Sequence, residues 1–441
     1  MSALSNVAAA LQGLLGEAAV RAAKASNVIQ RVRKFTAQTL ARTMVCGFLQ
    51  NPNAQDEQLA QVAAQCGVEI TPQGVAERFT PVLQDFLQKL TEEAVVCVVE
   101  SDKVLAPVLK RFTDVIIIDS STNGLPDGQE EQFPGCGGSD NSGKSAVKLQ
   151  TEMSLRTGRL FVQLESGRSP DNASSRQEAT LPAGSLRIAD LGYFDTKVFE
   201  RFAKEGAYWL SRLQFGTDVF DPDGTKKPLL AWLNQQTENR IDMAILLSSS
   251  RRLPCRLVAW RVPEEVANRR RQKLREECVR KRGRQPTAER LAWCDWMILV
   301  TNVPGDLLTP DEMGVLYRAR WQIELLFKRW KSQGLVSKLE GSTEVRQMIR
   351  MWSRLLAVVV QHWLLVATVW GDPRHSLSKV VEAIRPLVSL LIASLDHPKS
   401  LHAALQILDR TLHCTARQNK RKQPSTFQLL NDPSLLTWGL T

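Results

Sequence analysis

The sequence predicts an α/β protein: a mixed β-sheet flanked by helices, with a β-rich insertion and helical domains at both ends. Three observations predict it. Short apolar or alternating runs, each closed by polar residues, recur between residues 115 and 301, as strands do. The first hundred residues and those after 345 are rich in Ala, Leu, Val and Gln with few turn signals, as helices are. A chain of 441 residues exceeds the usual domain of about 100–200, so two to four domains are expected.

With 43% hydrophobic and 23% charged residues the composition is that of a globular protein. The formal charge of +11 calls for an anionic partner, nucleic acid or an acidic membrane. The opening MSALSNVAAALQGLLGEAA lacks the basic start of a secretory signal. The most apolar stretch, Leu355 to Trp370, is interrupted by Gln361 and His362 and falls short of the ~20 residues that span a bilayer. It is expected to be a buried helix, and a membrane partner is not expected. The eight cysteines form no CxxC pair and suit reduced cytosolic thiols, so no zinc motif is visible. All five histidines follow residue 361, which removes most Ser-His-Asp and histidine-metal chemistry from the first four-fifths of the chain.

Taken in order, the helical start is basic at Arg21, Lys24, Arg31, Arg33, Lys34 and Arg42. Leu59 to Phe79 has the outline of a helix-turn-helix, with Thr71-Pro72 opening the second helix and Gln73, Glu77 and Arg78 available to read DNA. Its turn is longer than usual, so an ordinary helical hairpin is preferred. Val115–Ile118 is a buried strand ending at Asp119. A Gly/Ser-rich loop leads to a half-buried strand, in which Val147, Leu149, Met153 and Leu155 alternate with Lys148, Gln150, Glu152 and Ser154. After a turn at Arg156–Gly158 come a strand Leu160–Leu164, a polar linker, and a strand Leu186–Ala189 ending at Asp190. A helix Thr196–Glu205 and a strand Ala207–Phe215 follow. The insertion carries strands at Ile241–Leu247, Leu253–Val262 and Trp296–Thr301. A stretch from Arg269 to Arg290, ten of 22 residues basic, splits them and serves equally as a solvated charge run or a phosphate-binding surface. Beyond residue 345 the chain is helical, with basic residues at Arg417, Lys420, Arg421 and Lys422.

Gly138 to Ser145 matches GxxxxGK[ST] letter for letter, yet a phosphate-binding loop needs a buried strand before it and a helix at its Lys. Gln129 to Pro134 is no buried strand, and the residues after Ser145 alternate as a strand. The loop is expected to be a hairpin connection.

The most specific signal is the helix around Glu324. Thr309-Pro310-Asp311-Glu312 is a capping box with Pro at the first helical position, so a helix starts there. At 100° per residue, Tyr317, Arg320, Glu324 and Lys331 share a stripe about 60° wide, while Ile323, Leu326, Phe327 and Trp330 form an anchoring face. A salt-bridged surface helix accounts for Arg320 with Glu324 but not for Tyr317 and Lys331. A carboxylate flanked by cations and a phenol suits a metal-bound phosphodiester.

The pattern Tyr-x2-Arg-x3-Glu-x6-Lys resembles the signature of the insertion-sequence-four family of bacterial DDE transposases. The resemblance covers roughly residues 105–345. It implies a ribonuclease H-like core and catalytic, metal-holding residues Asp119, Asp190 and Glu324. Asp114 and Asp195 stand close enough to compete for the aspartate positions. It further implies two Mg²⁺ ions (Mn²⁺ being an alternative), and phosphate contacts from Tyr317, Arg320 and Lys331. Trp296 matches a base-stacking position, with core packing the even alternative, and Arg212 could face the DNA. The expected domains are a helical DNA-binding domain over 1–104, catalytic core over 105–215 and 305–345, the insertion over 216–304, and a helical domain over 346–441. The implied activity is cut-and-paste transposition on double-stranded DNA, at terminal inverted repeats and a target, by a homodimer in the nucleoid-associated bacterial cytoplasm. The alternatives are a ribonuclease H-like nuclease and a domesticated DNA-binding protein.

Overall fold

The computed structural model describes residues 2–136, 143–332, 343–372, 374–419 and 423–436, with the side chains of all but Arg282. The chain opens with α1 (Ala3–Gly13), α2 (Ala19–Ser26), α3 (Ala37–Gln50), α4 (Asp56–Gln65), α5 (Pro72–Ala76) and α6 (Pro81–Val95). Local chemistry sets their starts. Thr36, Thr71 and Thr80 each accept a hydrogen bond from the backbone N–H three residues on, and Pro72 and Pro81 sit where a missing N–H costs nothing. α5 is only five residues long, which supports the plain hairpin over a DNA-reading helix.

The strands are β1 (Val115–Leu125), β2 (Ser145–Ser154), β3 (Leu160–Ser166), β4 (Leu186–Ile188), β5 (Tyr208–Arg212), β6 (Val219–Phe220), β7 (Lys226–Lys227), β8 (Arg240–Leu247), β9 (Leu253–Arg261) and β10 (Trp296–Thr301). Their order is β3-β2-β1-β4-β5-β10-β9-β8-β6-β7. β1 with β4 and β4 with β5 are parallel; β2–β3, β5–β10, β10–β9, β9–β8, β8–β6 and β6–β7 are antiparallel. The β-rich insertion therefore extends the sheet beyond β5 through β10. The later helices are α7 (Thr196–Lys204), α8 (Leu229–Gln235), α9 (Glu264–Arg282), α10 (Ala288–Ala292), α11 (Pro310–Ala319), α12 (Trp321–Trp330), α13 (Glu344–Thr368), α14 (Leu377–Ile384), α15 (Val388–Ser394), α16 (Pro398–Thr415) and α17 (Thr426–Asn431).

Two expectations about strands are corrected. β1 does not stop at Asp119 but continues to Leu125, with Ser121, Asn123 and Leu125 buried and Thr122 and Gly124 exposed. Its second half turns small polar residues inward, so no apolar run betrays it. β2 is buried along its whole length instead of on one face; Lys148, Gln150, Glu152 and Ser154 are all 7% exposed or less. The Lys148 ammonium is satisfied inside by the Ser169 carbonyl. Residues 138–142 of the GxxxxGKS loop lie outside the described residues. Ser145 opens β2, where a nucleotide loop would need a helix.

The chain divides into two compact units: Met1–Leu105 with Asp119–Ser169 and Gln322–Lys420, and Ala106–Ile118 with Pro170–Trp321 and Arg421–Thr441. The first is organised on α13, buried almost throughout and containing most of the apolar stretch expected to be a buried helix. Arg346, Arg350 and Arg354, four residues apart, lie on one face of α13 and grip the loop before α4. Arg346 pairs with Asp56 at 2.7 Å, Arg350 donates to the Ala54 carbonyl and Gln55, and Arg354 donates to the Pro52 carbonyl and Asn53. The span Ala3–Ser26 and α13 are each long and apolar enough to cross a membrane; 94% of the α13 window is buried within the protein. The core of the second unit packs α7 and α8 against its strands, with Phe199 stacked on Trp209 at 4.2 Å among Phe202, Leu233, Leu257 and Trp296.

Candidate active site

In the first unit, Asp119 is half-buried on β1, and the Ser120 amide donates to its Oδ1 at 2.8 Å. Glu324 is half-buried in the first turn of α12. The face expected to anchor this helix does so: Ile323, Leu326, Phe327 and Trp330 are buried, which fixes the direction in which Glu324 projects. Lys331 is exposed just past the end of α12.

In the second unit, Asp190 follows β4 and caps a short 3₁₀ turn, Leu191–Tyr193, with its Oδ1 accepting the Gly192 N–H at 2.8 Å. Gly192 leaves room there for the two neighbouring carboxylates. A Cβ on it would stand 3.1 Å from both Asp190 Oδ1 and Asp171 Oδ2, tighter than ordinary contact. Beneath the turn, Tyr193 packs with Ile118 and Ala189, and Gln177 donates to the Tyr193 carbonyl at 3.1 Å. The rival aspartates have structural posts: Asp195 caps α7 by accepting from the Lys197 N–H, and buried Asp114 accepts from the Val115 N–H.

The predicted capping box is present, with Thr309 and Glu312 bonded reciprocally and Pro310 opening α11. Arg111 clamps the same Glu312 at 2.7 and 2.8 Å. Two turns on, Tyr317 is buried, and burial above all pushes its phenol up to about 12; the Asp190 carboxylate adds to the rise, while Arg212 and Arg320 oppose it. The phenol is therefore a neutral hydrogen-bond donor at any cellular pH, within the electrostatic reach of Asp190, Arg212 and Arg320. Arg270, on α9, lies within the electrostatic reach of Arg212 and donates to the Trp296 carbonyl at 3.3 Å. Its pKa is lowered first by burial and then by Arg212, as expected of cations crowded together without enough anions. Composition flagged Arg270 only as one of ten basic residues, and only the fold singles it out.

Trp296 is corrected as a base-stacking platform for this conformation. It is 1% exposed in the core, its indole N–H donates to Asn234 at 3.1 Å, and the Arg261 guanidinium covers its ring at 4.5 Å. The cause is topological, because β10 is interior to the sheet, between β5 and β9.

The donor set fits a hard divalent cation. Two aspartates and a glutamate offer only oxygen, as Mg²⁺ and Mn²⁺ prefer. The parallel register pairs Ile117 with Ile188, and Asp119 and Asp190 each follow two residues later on their own chain segments. The five-strand run β3-β2-β1-β4-β5, antiparallel at β2–β3 and parallel through β1, β4 and β5, is that of a ribonuclease H-like enzyme dependent on divalent metal. The chain belongs to the Transposase DDE domain family, whose family model matches residues 110–360, more than half of its length. Among curated relatives it is similar to the transposase for insertion sequence element IS231F of Bacillus thuringiensis subsp. israelensis, 25% identical over 435 residues, covering 92% of this chain and 90% of the relative. It is also similar to the transposase for IS1151 of Clostridium perfringens, 24% identical over 363 residues, covering 77% and 76%.

Proposed function

We propose that Asp119, Asp190 and Glu324 form the acidic triad of this transposase and act together on one scissile phosphodiester at each transposon end. The observation that carries this reading is the shared offset of Asp119 and Asp190 beyond a parallel strand pair, alongside membership of the DDE family. The triad would hold two Mg²⁺ ions, which when bound supply an activated oxygen nucleophile and neutralise the leaving 3′ oxygen. The chain's own residues do the positioning. Arg212 and Arg320 beside the Tyr317 phenol, with Arg270 beside Arg212, form a cationic cradle for DNA phosphates, and Lys331 is a further phosphate contact. In hydrolysis the bond from phosphorus to the 3′ oxygen breaks as water oxygen binds phosphorus, leaving a 3′-hydroxyl and a 5′-phosphate. In strand transfer that 3′-hydroxyl attacks a target phosphodiester and displaces another 3′ oxygen, so no external energy source is needed.

The same reading makes 1–104 a DNA-binding domain, 105–215 with 305–345 the catalytic core, 216–304 the insertion and 346–441 a helical domain. It places a homodimer at paired ends in the bacterial cytoplasm. Trp296 enters it as support beneath the cradle, not as a base contact. The test is cleavage and strand transfer on an end-containing DNA fragment with Mg²⁺. Asp119→Ala, Asp190→Ala and Glu324→Ala are each expected to lose at least ~10²-fold in rate, the scale for removing a preorganised group at a charged transition state. Full activity in any one of them defeats the triad. Cleavage without joining in the unaltered protein would favour a plain nuclease.

A further inference from the structure

Among the described residues, one group of three potential ligands has its donor atoms within 4.8 Å of one another: Asp372, His375 and His413, all in the first unit. His375 is buried and the other two are partly buried. Asp372 Oδ2 lies 3.5 Å from His375 Nδ1 and 3.9 Å from His413 Nδ1. Donors bound at about 2.0–2.1 Å to a single tetrahedral zinc stand roughly 3.4 Å apart, so separations of at most 4.8 Å need closure of no more than about 1.4 Å to admit one.

The opposite nitrogens point to the same conclusion. A ligating imidazole normally donates its other N–H to a carboxylate or carbonyl, which fixes its tautomer. His413 Nε2 faces Asp409 Oδ1 at 3.4 Å, and His375 Nε2 faces the His413 carbonyl at 3.5 Å. Both rings have an acceptor on the side away from the Asp372 carboxylate, and for His375 the Asp372 carbonyl, 3.4 Å from Nδ1, is a competing acceptor that a metal must displace.

The scaffold is set by backbone bonds. The Ser376 N–H donates to the Ala416 carbonyl, the Gln418 N–H to the Arg374 carbonyl, and the Gln418 side chain to the His375 carbonyl, each at 2.8 Å. These pin the turn before α14 to the end of α16. Arg374, largely exposed, chelates the Asp372 carboxylate, its Nε donating at 2.8 Å to Oδ1 and its Nη2 at 2.6 Å to Oδ2. That guanidinium is also the competitor a metal must share with or displace.

We propose that Asp372, His375 and His413 form a three-ligand site for a divalent transition metal of the zinc class, oriented by Asp409 and joining the turn before α14 to α16. Two imidazoles and one carboxylate select this class over Mg²⁺, so the site is chemically separate from the all-carboxylate triad. The full-length protein, stripped with chelator, is titrated with Co²⁺ as an optical probe and then with Zn²⁺. One equivalent of Co²⁺ with visible absorption, displaced by Zn²⁺ and unaffected by Asp119→Ala, is the expected result. His413→Gln should weaken binding at least tenfold. Asp409→Asn should weaken it by ~10–100-fold, and it keeps the test open should His413→Gln fail to fold. Arg374→Ala should tighten it. Equal Co²⁺ uptake by the unaltered protein and both weakened variants overturns the site. So does an unaltered protein that binds no Co²⁺ and whose melting temperature responds to pH but not to Zn²⁺, the behaviour of a simple histidine–aspartate ion pair.

Discussion

Two helices of this protein are rich in arginine, and they use it in opposite ways. On α13 the cations come every fourth residue and end on named carbonyls and amides of the loop before α4 and on the carboxylate of Asp56 at its start. On α9 they are scattered around the helix. Only Ala267 and Cys278 of its described side chains are buried, and Lys273, Arg275 and Arg280 are exposed. A few are neutralised locally, as Arg269 by Glu265 and Lys281 by Glu277, but the helix as a whole has no apolar face to dock. The contrast teaches that a count of basic residues says little about where an anion binds. What separates structural from functional cations is whether the fold already supplies their acceptors.

Substitutions can break that contrast. Arg354, 1% exposed, should be the costliest loss: Arg354→Ala removes the charged donor to the Pro52 carbonyl and Asn53 and leaves a buried void, and about 3–4 kcal/mol should vanish in urea unfolding. A loss under about 1 kcal/mol would show that α13 does not depend on its arginines. Next comes His362, on the same helix. Burial, reinforced by Arg329, lowers its pKa to about 4 even though it is bonded to the Gly158 carbonyl. Because the folded value lies below the ordinary 6.5, the unfolded chain takes up the proton first, and stability falls as pH drops from about 6.5 to about 4. The decline should be on the order of 3 kcal/mol, and His362→Gln should flatten it. A slope unchanged in the variant would assign acid sensitivity elsewhere. The smallest effect on stability belongs to α9. Lys273→Ala, Arg275→Ala and Arg280→Ala together should shift unfolding by less than ~0.5 kcal/mol. DNA affinity should fall, and its logarithmic salt slope should flatten by up to about 0.9 per cation removed. An unchanged slope would make α9 a solvated charge run.

Elements whose signals are local were legible in the sequence. The capping box of α11, the buried anchor of α12 and the short strand before Asp190 all depend on neighbours within a few residues. What was hidden depends on partners distant in the chain. β1 runs past Asp119 because small polar residues can face inward when another strand lies alongside. β2 looked half-exposed because its polar side chains are covered by segments that alternation cannot foresee, the Lys148 ammonium finding the Ser169 carbonyl. The approach of Arg212 to both Tyr317 and Arg270, and the His413 that completes a triplet with Asp372 and His375, join positions with no motif spacing. Trp296 carried a familiar position but not the exposure its expected role needs.

Gly192 has a bearing on the fate of the mobile element itself. Copies in a genome accumulate changes, and most single changes leave folding intact. A glycine-to-alanine change here would add one methyl on the surface of the second unit, pressed between Asp190 and Asp171. With Asp190 in the proposed triad, such a copy would still be translated and still occupy DNA, yet cut poorly and compete with its active siblings. One codon could thus convert the enzyme into a brake on its own spread.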